Sequence, residues 1–429
     1  MFSELRVATY RLKLVLEQGA YLPFYKGSTF RGGFGSVFRQ MVCSQGRLNC
    51  QECLLNDRCP YSYIFETTVP EDSPVLRNQE EIPRPYIIEP SLDGRTYYAA
   101  GEELTFHLIL IGQAIEFLPY FLVTFRELGK QGIGRAANDD FPQVGKLARP
   151  LSESTGELSR RPWLPGPTAD SSFVTSSSSG TLQLVDDGSV ARPAYSHAAG
   201  FSGGTLHQGE ARQGPLRRSS ISAREPDFRE ERRRRESGQP LERGRRATFI
   251  LAEVRAVEHP DQADDGSLLY AASEGKIYNK RNLILTGDEI AQKASSLNDQ
   301  MATLDFVTMT RLKHGDRLTD KPDFHVLVRS LLRRISSLAR FHHGIPLEVD
   351  FTGLIRQAER VWLVRNDTRW EDWERFSSRQ DTRMKLGGIV GTATYEGDLA
   401  PFRELLITGQ WTHAGKNVTF GLGKYRVRG

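Results

Sequence analysis

KLGGIVGTATYEGDLAPFRELLITG, residues 385–409, contains the change of rhythm on which the fold turns. Residues 385–398 carry β-branched and small residues with glycine interruptions, which reads as a strand. Residues 399–409 shift to helical spacing, and Gly409 reads as the stop. Downstream, VTFGLGKYRV (418–427) closes as another strand. Upstream, ATLDFVTMTRLK (302–313) reads as a strand. PDFHVLVRSLLRRISSLARFHH (322–343) then places apolar residues at 324, 327, 328, 331, 332, 335, 338 and 339, the spacing of a helix.

The N-terminal half starts the same order earlier. LRVATYRLKLVL (5–16) reads as a strand, and a short helix is expected from about residue 34 to 42. YSYIFET (61–67) and RPYIIEP (84–90) read as aromatic strand material, and EELTFHLILIG (102–112) as a strand. AIEFLPYFLVTFRELG (114–129) reads as a helix ended by Gly129, and RATFILAEVRAV (246–257) as a strand. Each half can be read as strand–helix–strand–strand–helix–strand, the ferredoxin-like order, although the second half shows only one of its two middle strands in its periodicity. The expected fold class is α+β: two tandem ferredoxin-like domains with a long disordered insertion in the first. The expected boundaries are 1–135 plus 246–300 for the first domain, 136–245 for the insertion and 301–429 for the second.

The insertion loses all periodicity. It contains TSSSSG and the run REERRRRE (229–236). Across 136–246 there are 17 Lys and Arg against 14 Asp and Glu, so the arginine run belongs to a mixed-charge segment rather than a polycation. The whole chain of 429 residues carries a formal charge of only +4, so any nucleic-acid surface is local. The opening residues lack a signal-peptide pattern. The longest apolar stretch, 104–125, is interrupted by His107, Gln113, Glu116 and Pro119, which argues against a membrane span. A cytoplasmic protein is expected. In that compartment Cys43, Cys50, Cys53 and Cys59, spaced C-x6-C-x2-C-x5-C, suit a structural zinc site, with four free thiols as the alternative.

The chain ends THAGKNVTFGLGKYRVRG (412–429), where glycines alternate with Lys416, Lys424, Arg426 and Arg428 and no acid intervenes. Glycine permits close backbone approach, and lysine and arginine neutralise phosphates, so the segment suits an RNA backbone. Together with FRGGFGSVFRQ, CLLNDRCPYSYIFE, LGKQGIGR, TMTRLKHGD, DWERFSSRQ and LGGIVGTATYEGDLAPFRELL, this tail resembles the CRISPR-associated endoribonucleases that cut precursor CRISPR RNA within its repeats, members of the repeat-associated mysterious protein superfamily. The resemblance covers both ends and nearly everything but the insertion.

It implies metal-independent cleavage: the ribose 2′-OH attacks the adjacent phosphate and leaves a 2′,3′-cyclic phosphate and a 5′-OH. It implies CRISPR repeat RNA as partner, and other subunits of a CRISPR effector complex as further partners. Many relatives carry a histidine on the first helix. FRGGFGSVFRQMV has none, and Ser36 lies where one would be sought. The substitutes considered are His413, Lys26, His343 and Tyr25 for catalysis. Arg31, Arg39, Arg311, Lys313, Gly415, Lys416, Gly421, Gly423 and Lys424 are the expected RNA contacts. The missing histidine keeps a second function open, a non-catalytic RNA-binding subunit.

Overall fold

Alternation along Arg6–Leu16 produces a long strand, β1, at the centre of the first sheet. The structure, a computed structural model, describes residues 2, 4–45, 50–67, 82–137, 245–261, 266–278, 282–377 and 382–428. All of them lie in one compact unit. The disorder expected for 136–245 falls outside the described residues, apart from three at its ends.

In the first half the elements are β1, α1 (Gly27–Val42), β2 (Tyr86–Glu89), β3 (Glu103–Ile111), α2 (Leu118–Gln131) and β4 (Phe249–Val257). The sheet order is β2-β3-β1-β4, and all pairs are antiparallel. A hairpin of Ser267–Ala271 and Lys276–Ile277 extends it beyond β4. In the second half the elements are β5 (Met301–Thr310), α3 (Phe324–His343), β6 (Trp362–Glu371), β7 (Gly388–Glu396), α4 (Arg403–Thr412) and β8 (Tyr425–Arg428). Its sheet order is β6-β7-β5-β8. Each sheet therefore puts its first strand between its third and fourth. Both halves are ferredoxin-like.

The cores explain the helices. Phe30, Phe34 and Phe38 recur every fourth residue on α1 and are fully buried. Phe34 stacks on Phe121 of α2 at 4.7 Å, and Phe30 on Phe106 of β3 at 4.5 Å. Each such ring contributes about 1.5–3 kcal/mol by burial. In the second half Leu327, Leu331, Ile335 and Leu338 of α3 form the matching stripe.

Several local expectations are corrected. The first helix begins at Gly27 rather than near residue 34. YSYIFET is not a strand: Ser62–Glu66 form one π-helical turn. Its buried residues Tyr61, Ile64 and Phe65 have helical spacing, so the aromatic content signalled core packing. Gly129 and Gly409 do not end their helices. A Cβ at Gly129 would lie 2.3 Å from the Phe249 carbonyl oxygen, and one at Gly409 1.9 Å from the Tyr425 hydroxyl. Both glycines are there to let other parts of the chain approach. Of VTFGLGKYRV only Tyr425–Arg428 is strand.

Candidate nucleic-acid interface

The segment between α4 and β8 turns inward. His413, the residue after α4, is fully buried. It donates from Nε2 to Glu89 Oε1 at 2.7 Å and turns Nδ1 toward the Leu422 carbonyl at 3.0 Å. Its backbone, at φ 58° and ψ 166°, occupies a region that is essentially glycine's own. A histidine held there at a cost of about 1–3 kcal/mol requires fixed side-chain bonds to keep it.

Lys424 is 6% exposed, and its Nζ donates to Glu89 Oε2 at 2.9 Å and Asp261 Oδ1 at 2.8 Å. Arg426 Nε donates to Asp261 Oδ2 at 2.6 Å. The acids come from β2 and from the segment after β4. The bases come from the tail. Burial alone would raise both carboxyl pKa values. Lys424 and His413 at Glu89, and Arg426 and Lys424 at Asp261, overcome it and hold both well below the usual carboxylate range. Burial likewise disfavours the Lys424 ammonium, but Glu89 and Asp261 raise its pKa above the ordinary value. The result is a charged clasp between the two halves, buried at Glu89, His413 and Lys424 and partly exposed at Asp261 and Arg426.

The glycines serve the same clasp. Gly423 has φ +79°, and a Cβ there would lie 1.9 Å from the Ala414 carbonyl oxygen. A Cβ at Gly421 would lie 2.8 Å from the Ile88 carbonyl oxygen on β2, and one at Gly415 2.5 Å from that of Arg311. Their close approach is to the protein's own backbone.

The catalytic candidates are similarly occupied. Lys26 is fully buried at the start of α1, and its Nζ donates to Asp93 Oδ1 at 2.8 Å. The Tyr25 hydroxyl donates to the Phe420 carbonyl at 3.0 Å, and burial followed by the Glu89 charge raises its pKa well above the ordinary value. His343 is half-buried at the end of α3. Its Nε2 accepts from the Arg6 backbone N–H at 3.0 Å and its Nδ1 donates to the Leu338 carbonyl at 3.2 Å, while burial pushes its pKa down. None of the four presents a ring nitrogen, hydroxyl or ammonium to solvent in this arrangement. Beside His343, His342 accepts from the Tyr63 hydroxyl and donates to the Pro83 carbonyl at 2.8 Å, and burial pushes its pKa down to about 4.

The expected RNA contacts divide into two groups. Lys416 is exposed on the loop, and Lys313 is partly exposed beside Asp316 at 3.0 Å. Arg311 is half-buried, with its guanidinium on the Gly387 carbonyl. Arg31 is packed inward, 4.7 Å from the Phe65 ring and 5.3 Å from Phe420, and Arg39 lies 5.6 Å from the Tyr61 ring. Lys424 faces its two carboxylates. Ser36 is exposed on α1.

A family model described as CRISPR-associated endoribonuclease Cas6 matches residues 304–425, which include the whole glycine-rich loop. Residues 304–425 are thus similar to that family. A second model, described only as an N-terminal domain, matches residues 5–148. An uncharacterized protein of Archaeoglobus fulgidus is 31% identical over 124 residues, which are 29% of this chain and 41% of that relative's length. Among solved structures, a Thermus thermophilus Cas6 aligns over 99% of both chains at 12% identity with a TM-score of 0.43. A Cas6 product complex aligns over 98% of this chain and 100% of that one at 13% identity with a TM-score of 0.45.

Sequence reasoning missed the partners of the basic tail. Glu89 and Asp261 lie far from the tail in sequence, and Glu89 offers one local hint, an acid closing a four-residue strand that is otherwise apolar. Arg334 of α3, which the sequence offers only as one of several helix arginines able to face phosphates, turns inward instead. Buried, with its pKa pushed down to about 9, it donates from Nε to the Thr412 carbonyl at 2.6 Å and caps α4. The four cysteines are half-buried and free. Among the described residues no three His, Cys, Asp or Glu side chains stand in metal-holding geometry. Among those residues no helix is long and apolar enough to cross a membrane.

Proposed function

We propose that the chain is a cytoplasmic CRISPR-RNA-processing endoribonuclease. The observation that carries the reading is the Cas6 family match over 304–425, which spans the glycine-rich loop and its basic residues. In this reading the loop is a stiff floor, clasped from beneath by Glu89 and Asp261. Lys416, Lys313 and Arg311 neutralise the phosphates laid across it. The 2′-OH attacks the adjacent phosphorus, the P–O5′ bond breaks, and the 5′ oxygen takes a proton. The products are a 2′,3′-cyclic phosphate and a 5′-OH, formed without a catalytic metal. His413, Lys26, Tyr25 and His343 then act as positioning groups. The rate derives mainly from in-line alignment and charge neutralisation.

One observation favours a second reading, an RNA-binding subunit that does not cut. α1 has no histidine, and the substitutes are engaged within the protein. One assay separates the two: repeat RNA from the source genome, incubated in excess EDTA, with the product ends mapped. A single cut leaving a 2′,3′-cyclic end supports the endoribonuclease. Tight binding with no cut supports the binding subunit, and absence of binding defeats both.

Zinc on Cys43, Cys50, Cys53 and Cys59 is a separate proposal. It is supported by the spacing of the four cysteines, C-x6-C-x2-C-x5-C, and by the tendency of thiolates to gather round a metal as it binds. About one zinc per chain by elemental analysis, lost in Cys53→Ser, is the expected result; a zinc-free chain sinks it.

A further inference from the structure

A cleft beside the loop is unused by anything above. It is shallow and open, about 450 Å³ when the open solvent at its mouth is included. Phe24 and Tyr25, just before α1, form one wall, and Leu92, after β2, adds to it. Trp373, after β6, forms another, with Glu371 and Asp372 at the same side. Three features make it a built site rather than a dent.

First, Phe24 is uncovered while Tyr25 is buried and fixed beneath the cleft. Phe24 is 51% exposed, an unusual cost for a large apolar ring, and lies against the Gly94 backbone. Tyr25 is anchored by its hydroxyl on the Phe420 carbonyl, and Trp373 packs edge-on against it at 4.7 Å. The Trp373 carbonyl is itself tied down, accepting from Leu386 N–H at 2.7 Å.

Second, it carries two carboxylates, alongside the Ser91 hydroxyl. Asp372 Oδ1 accepts from Trp370 Nε1 at 2.8 Å, which orients the carboxylate. Glu371 sits beside it, 3.5 Å from the Arg369 guanidinium. Among the described lining residues there is no lysine or arginine. A phosphate would be repelled here.

Third, the cleft adjoins the loop. Tyr25 bonds the loop's Phe420, and Met309 of β5 lines the cleft and packs in one apolar cluster with Tyr25, Phe420 and Leu422. A strand of RNA crossing Lys416 would pass nearby with its bases unpaired and free to turn inward.

We infer that this cleft takes one unpaired nucleobase of the bound RNA, stacked on Phe24 and Trp373 and read by Asp372 and Glu371, with guanine preferred. Recognition of single-stranded RNA works through aromatic stacking and hydrogen bonds to exposed base edges. Guanine presents adjacent N1–H and N2–H donors that match the two oxygens of one carboxylate. Uracil presents carbonyl oxygens on either side of its single N–H, and these would face the carboxylates. The inference rests on the RNA-binding reading above.

The test uses the full chain and three probes: the repeat RNA, the oligonucleotide UUGUU and the oligonucleotide UUUUU, measured by fluorescence anisotropy. The expected result is a preference of about 5- to 150-fold for UUGUU over UUUUU, the range of one bidentate base contact. Phe24→Ala weakens UUGUU by a similar factor, about 5- to 150-fold, as a lost stacking ring does. Asp372→Asn removes the guanine preference, because its NH2 now meets the guanine donors. Phe24 is largely exposed, so its variant folds, and near-ultraviolet circular dichroism verifies this. Repeat RNA that binds while UUGUU and UUUUU bind equally overturns the inference and spares the RNA reading. Failure of all three RNAs to bind overturns both. GMP that binds as tightly as UUGUU makes the cleft a free-nucleotide site and overturns the RNA assignment.

Discussion

Glu89→Gln removes the one charge shared by both halves of the clasp. The Glu89 carboxylate is 4% exposed and accepts from His413 at 2.7 Å and Lys424 at 2.9 Å. Deleting one member of a buried ion pair costs about 3–5 kcal/mol, because the partner's charge is left in a poor solvent. Lys424 keeps Asp261 at 2.8 Å, whereas His413 loses its acid, so the lower end applies, about 3 kcal/mol. That is a large share of the roughly 5–15 kcal/mol that holds a domain folded. Urea unfolding at pH 7 reads the change directly. The double variant Glu89→Met with Lys424→Met should cost less than the sum of its singles, since a matched pair can be replaced by apolar groups nearly neutrally. Acid dependence gives a second readout. The folded Glu89 pKa lies below its ordinary 4.5, so the group stabilises above that pH and the contribution fades as pH falls through 4.5 and below. The Gln variant should lack that component. A loss under about 1 kcal/mol, with additive singles, would refute a charged clasp.

Three further outcomes are expected. His413→Gly should be less destabilising than His413→Ala by about 1 kcal/mol in the same unfolding assay, because glycine occupies φ 58°, ψ 166° without strain; equal losses would show that the backbone there is not strained. His342 titrates at about 4 when folded against an ordinary 6.5, so its stabilisation is complete above 6.5 and fades as pH falls toward 4, by at most about 3 kcal/mol, and unfolding midpoints of His342→Gln should be flatter across that window. Lys416→Ala should lower the salt slope of RNA binding by about one while changing stability by less than about 0.5 kcal/mol; an unchanged slope would place the phosphates elsewhere.

The order of elements was legible because it is written in local periodicity. β1 and β3 alternate apolar and polar residues, and α1 and α3 space theirs for a helix. Where local signals misled, packing was the cause. YSYIFET has the composition of a strand but buries Tyr61, Ile64 and Phe65 from one turn. β6 went unread because it is an edge strand with few buried residues and a surface of charges. Gly129 and Gly409 punctuate nothing, since their absent side chains make room for Phe249 and Tyr425.

The chemistry was less legible than the fold. The sequence alone determined that the tail is basic and glycine-rich, since charge and backbone freedom belong to the residues themselves. Only the tertiary structure decided where that charge goes. Lys416 faces outward, whereas Lys424 and His413 turn in to an acid 335 and 324 residues away. Whether a buried charge is stable depends on its partner's distance and on the water excluded from both, and neither quantity exists until the two sheets have met.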